Sequence, residues 1–138
     1  MGLTRFVTVA GVAMLLAGRP VMAHHAFAAE FDGNRPVKLR GTVTKMEWVN
    51  PHAWIYIDVK DARGTVVPWM IEAGAPNAMF RRGFRKDSLP SGTVVLIEGF
   101  RAKSGKNIAN GRDITFPDGR KLIMGSSGTG APGAPSEK

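Results

Sequence analysis

The sequence predicts an all-β domain with one short helix, a small partly closed barrel of the oligonucleotide/oligosaccharide-binding (OB-like) type, on three observations. Apolar residues alternate at period two in several separate runs, turn-forming clusters punctuate those runs, and the predicted strands fall on both sides of a single short helical segment. A chain of 138 residues suffices for one such domain with a modest core.

The first element is not part of the domain. Residues 1–23 read as a secretory leader: Arg5 in a short basic start, an apolar stretch from Phe6 to Ala17, then Gly18-Arg19-Pro20 and the small-residue end Val21-Met22-Ala23. The apolar stretch is short for a bilayer span. Cleavage after Ala23 is the expected processing, with an uncleaved anchor as the lesser alternative because Arg19 lies so close to the cut. Periplasmic or secreted localisation follows from export, and no later segment resembles a membrane span.

Residues 24–36 form an N-terminal arm with two apolar contacts, Phe27 and Phe31, closed by the turn-forming Asp32-Gly33-Asn34. The domain proper is expected over 37–124. From Val37 to Trp48 a long strand places Val37, Leu39, Gly41 and Val43 on one face and Lys38, Arg40, Thr42 and Thr44 on the other. After Val43 the apolar phase slips to Met46 and Trp48, which predicts a bulge that curves the strand, eased by Gly41.

Asn50-Pro51 ends that run. A second strand from Ala53 to Lys60 turns Ala53, Ile55, Ile57 and Val59 inward and Trp54, Tyr56 and Asp58 outward. A third, Val66 to Glu72, contains Pro68, which donates no ladder hydrogen bond and so predicts a sheet edge or a bulge. Pro76 to Arg82 is the helix, with Pro76 suited to its first turn and Gly83 to its end. Thr93 to Phe100 is a fourth strand, and Asn107 to Phe116, the Pro117-Asp118-Gly119 turn and Arg120 to Met124 form a closing hairpin. Residues 125–138 are rich in Gly, Ser, Pro and Ala and are expected to be disordered.

Composition narrows the chemistry. The chain has no cysteine, which excludes thiolate sites and disulfides. Net charge is +8, falling to +6 without the leader's Arg5 and Arg19. That balance favours anionic partners in general, but export removes nucleic acid as a working partner. The oligomeric state is left open.

The three histidines are grouped as His24-His25, at the expected mature N-terminus, and His52 in Trp48-Val49-Asn50-Pro51-His52-Ala53-Trp54. An N-terminal histidine offers its α-amino group and ring nitrogen to one metal ion, and a further imidazole completes an all-nitrogen planar set that suits Cu(II). This pairing is similar to the histidine brace of copper proteins, and it makes His24, His52 and His25 the candidate metal ligands. A copper carrier or accessory factor is the leading reading. The competing reading makes His24 and His25 a solvated terminus and His52 a corner residue held by hydrogen bonds. Under it the protein is a metal-free periplasmic module that binds a small molecule or protein partner on an aromatic face built from Trp48, Trp54 and Tyr56, with Trp69 nearby.

Catalysis is not favoured. Glu30, Glu47, Asp58 and Glu72 are scattered along the chain, no serine or threonine sits in a nucleophile motif, and oxygen chemistry at a copper brace lacks an evident substrate surface. Phe27 and Phe31 are expected to cover Trp54 and Tyr56. Arg81-Arg82-Gly83-Phe84-Arg85-Lys86 reads first as a solvated basic face, with anion or lipid head-group binding as its functional alternative.

Several stretches together resemble an uncharacterised family of exported bacterial proteins, domain of unknown function 6152. They are His24 to Asp32, Gly41 to Lys45, Trp48 to Ile55, Pro76-Asn77, Arg81-Arg82-Gly83 and Gly125 to Gly130. The family often carries serine where this chain has Ala26, so no hydroxyl role transfers to that position. The resemblance implies an exported barrel-like domain and leaves its activity open.

Overall fold

A computed structural model describes residues 27–125 and 131–132. The expected leader, His24-His25 and most of the tail lie outside the described residues. The described residues are mostly β, with six strands: β1 (Phe31–Glu47), β2 (Trp54–Lys60), β3 (Val66–Glu72), β4 (Val94–Ala102), β5 (Ile108–Thr115) and β6 (Lys121–Ile123). Residues 27–30 are helical, and a second short helix, Pro76–Arg81, lies between β3 and β4.

The sheet order is β3-β2-β1-β4-β5-β6, and a further pairing of β3 with β5 carries hydrogen bonding through five strands in a ring. That pairing is the parallel one; the others are antiparallel. The circuit β1-β2-β3-β5-β4, with a helix between β3 and β4, is the OB-like connectivity the strand order predicts.

Alternation builds the interior. Val43, Ile55, Ile57, Ile71, Val95, Ile97 and Ile114 are all buried inside the ring, and Met79, Phe84 and Met124 pack with them. The expected bulge is present: the β1–β2 register shifts between Val43 and Lys45. Gly41 is there for close approach, since a Cβ would stand 2.9 Å from the Asp58 carbonyl oxygen. Among the described residues only β2 lies beside β3 at Pro68, because β5 pairs with β3 from Met70 to Glu72. Pro68 thus sits on a locally free edge.

Several boundaries move, most of them by a single residue at a strand end. β1 begins at Phe31 rather than Val37, because Phe31 pairs with Ala102 and the turn signal at Asp32-Gly33-Asn34 falls inside a register shift instead of ending the arm. β4 continues to Ala102, where its last residues pair with Phe31 and Ala109. The helix ends one residue early, at Arg81, with Gly83 at φ 96° reversing the chain.

A second, smaller cluster lies on the outer face of the ring. Phe27, Phe31, Phe100 and Ala102 are buried there, with Ile108 and Ala131 against them. The tail residues 131–132 therefore border the arm, and Pro132 lies beside Gly33.

Candidate functional site

His52 follows the cis Asn50–Pro51 peptide at the entrance to β2. The Ala53 N–H donates to the Gly74 carbonyl and the Ala73 N–H to the Ala53 carbonyl, so the start of β2 is laced to the end of β3. This brings His52 to Glu72: Nδ1 stands 3.3 Å from Oε1, with the imidazole about one-third exposed and the carboxylate nearly buried.

Glu72 belongs to a row on the outer face. Trp54 pairs with Glu72, Glu72 with Asn110, and Asn110 with Phe100, so the four side chains cross β2, β3, β5 and β4 on the same side. Asn110 Nδ2 donates to Glu72 Oε1 at 3.3 Å. Burial pushes the Glu72 carboxyl above the usual carboxylate range; His52 opposes that rise, Glu30 adds to it, and Asn110 opposes it.

Glu30 of the arm and Trp54, the β2 partner of Glu72, line one groove. Glu30 ends the helical turn whose Phe27 stacks on Phe31 with ring centroids 5.8 Å apart and meets Phe100 edge-on at 5.7 Å. Between arm and ring runs a groove of about 340 Å³, bordered by Ala29, Glu30, Trp54, Lys103, Lys106 and Ile108. Lys103 Nζ donates to the Ala28 carbonyl and ties the arm to the β4–β5 loop.

The aromatic candidates separate. Trp54 lines the groove, whereas Tyr56 donates its hydroxyl to Glu47 Oε2 at 3.0 Å and lies under Lys45. Trp48 packs against the main core, and Trp69 is buried with the Arg101 guanidinium 5.1 Å from its ring centroid. The arm's phenylalanines cover Phe100 and Ala102 instead of Trp54 and Tyr56, because β1 begins early enough to carry them over β4. The sequence reading placed Glu72 among scattered carboxylates and did not single out Asn110. Only the β2–β3–β5 register brings them to His52.

Among the described residues no three His, Cys, Asp or Glu side chains converge closely enough to hold a metal ion. The candidate ligands His24 and His25 lie outside the described residues. No helix among the described residues is long and apolar enough to cross a membrane.

Fold and site together define a small OB-like domain with a histidine–carboxylate pair, His52–Glu72, where β2 begins and β3 ends. The chain belongs to the family of unknown function DUF6152, whose profile matches residues 12–111. No curated protein and no solved structure matches it.

Proposed function

We propose that the protein is exported, is cleaved after Ala23, and binds copper in the periplasm through His24 together with His52 or His25, as a carrier or accessory factor. The observation that carries this reading is the contact between His52 Nδ1 and Glu72 Oε1. A carboxylate at one ring nitrogen keeps the proton there and leaves Nε2 as a basic ligand, the arrangement that commonly backs metal-binding imidazoles. His24 supplies the other two nitrogens, its terminal amine and its ring. Export provides the free amine, and the resulting all-nitrogen set favours Cu(II) over Zn(II).

Chain reach supports the same assignment. Phe27 is fixed on Phe100, Phe100 pairs with Asn110, Asn110 bonds Glu72, and the three residues from Phe27 back to His24 span at most roughly 11 Å. The test is Cu(II) titration of the processed protein by calorimetry and electron paramagnetic resonance, beside His52→Ala and a form with one extra N-terminal residue. Tight nitrogen-rich binding that weakens in both variants is expected. Binding that is absent, or indifferent to both changes, overturns the proposal.

A second reading is favoured by the groove itself. Trp54 at its wall, with Lys103 and Lys106 at its rim, suits a metal-free module that takes a small anionic molecule with an apolar part. Binding of that kind survives replacement of His24 and is lost in Trp54→Ala.

A further inference from the structure

On another part of the surface, the short helix Pro76–Arg81 is fixed by one side and presents the other. Pro76 and Met79 are buried, and Phe84 beyond the Gly83 reversal is wholly buried, so the segment is held firmly against the core. Phe80 points away and is 54% exposed, the most exposed of the large apolar side chains among the described residues.

One cation stacks on it, and others neighbour it along the chain. The Arg85 guanidinium lies 4.1 Å from the Phe80 ring centroid, held by donation of Nη1 to the Phe84 carbonyl at 2.9 Å and to the Phe80 carbonyl at 3.4 Å. Arg81, Arg85 and Lys86 are exposed, and Arg82 is half-buried with a hydrogen bond to the Gly125 carbonyl. Among the described residues no carboxylate pairs with any of the four. The exposed Asp87 next in sequence makes no ion pair with them.

A projecting aromatic ring under one arginine, with further cations close by in sequence that no carboxylate among the described residues pairs, is poorly suited to water on the apolar side and to a neutral partner on the charged side. An anionic bilayer surface satisfies both: phosphates neutralise the cations, while the ring enters the boundary between head groups and acyl chains. We infer that Phe80, Arg81, Arg85 and Lys86 form a docking surface for anionic lipid membranes. It acts independently of the copper site and makes the protein a peripheral companion of the bilayer.

The absence of native cysteine gives a local readout. A single Asn77→Cys substitution, on the exposed side of the same helix, carries an environment-sensitive fluorophore in the full chain, and Ser104→Cys carries it on a distant loop. On vesicles of phosphatidylcholine with one-quarter phosphatidylglycerol, the Asn77 label is expected to brighten and shift to the blue, and on pure phosphatidylcholine it is not. The response falls with salt, and each of Arg81→Gln and Lys86→Gln lowers apparent affinity by about fivefold. Phe80→Ser keeps the salt-sensitive adsorption and loses the blue shift. Equal responses on the two vesicles, equal responses from the two label sites, or suppression by a few millimolar inorganic phosphate at constant ionic strength overturns the assignment.

Discussion

His52 and Glu72 meet at 3.3 Å through Nδ1 and Oε1 from positions 20 residues apart, one before β2 and the other at the end of β3. The contact exists because β2 and β3 pair in register from Lys60↔Val66 to Trp54↔Glu72, which returns the chain to the corner it left. Removing the carboxylate charge while keeping the shape tests its role. Glu72→Gln is expected to weaken Cu(II) binding by about 10- to 100-fold, with unchanged far-ultraviolet circular dichroism. Calorimetric titration of wild type and variant at one pH checks it, and equal affinities would remove Glu72 from the site.

The same side chain sets a pH dependence of stability. Burial raises the Glu72 carboxyl above its ordinary range, so the folded state holds this proton more tightly than the unfolded chain does. Stability from this group is therefore greatest below the unfolded carboxylate range, falls as pH rises towards the raised folded value, and is level beyond it. Glu47, Glu98 and Asp118 shift the opposite way at the exposed surface and are common to both proteins. The difference between wild type and Glu72→Gln therefore removes their contribution and reports Glu72 together with the groups that act on it, His52 and Glu30. Urea midpoints from about pH 4 to 8 are expected to favour the variant increasingly and then level off. An advantage that shrinks with rising pH contradicts the assignment.

Much of this architecture is legible in the residues themselves. Alternation in Ile55–Val59 and Val66–Glu72, the phase slip after Val43, and Pro68 each state a local rule that the folded strand obeys. The site is less legible because it depends on strand pairing. Nothing near Asn110 announces that it will face Glu72, since the parallel β3–β5 pairing is a long-range event decided by ring closure. The arm was misdirected for a related reason. Phe27 and Phe31 read correctly as apolar contacts, but their target follows from the Phe31↔Ala102 pairing, which local turn signals obscure. Such non-local pairings leave no periodic mark on either segment.

The docked arm can be loosened without touching the ring. Phe27 is 6% exposed and makes ring contacts to Phe31 and Phe100. Phe27→Ala removes a buried aromatic worth about 3–5 kcal/mol in a rigid core. The arm can detach instead of leaving a cavity, so the global loss is expected to be smaller. Hydrogen exchange should accelerate over residues 27–36 while β2 and β3 keep their protection. If His24 completes the metal site, copper affinity falls as well, because the amine is no longer held near His52.

Gly99 links strand packing directly to the site. It faces Gly111 across the β4–β5 irregularity, and a Cβ there would stand 2.1 Å from the Asn110 carbonyl oxygen and 3.0 Å from the Gly111 Cα. Because the obstructing atoms are backbone, no rotamer change relieves the clash and β4 must separate from β5. Gly99→Ala is therefore expected to destabilise the protein by about 1–3 kcal/mol, lowering the melting temperature by roughly 4–20 °C for a domain of this size. Displacement of Asn110 also withdraws a hydrogen-bond donor from Glu72. The variant's copper affinity should fall even at temperatures where it remains folded. A Gly99→Ala protein with wild-type melting temperature and wild-type copper affinity would show that the β4–β5 contact is looser than this packing and that Asn110 does not position Glu72.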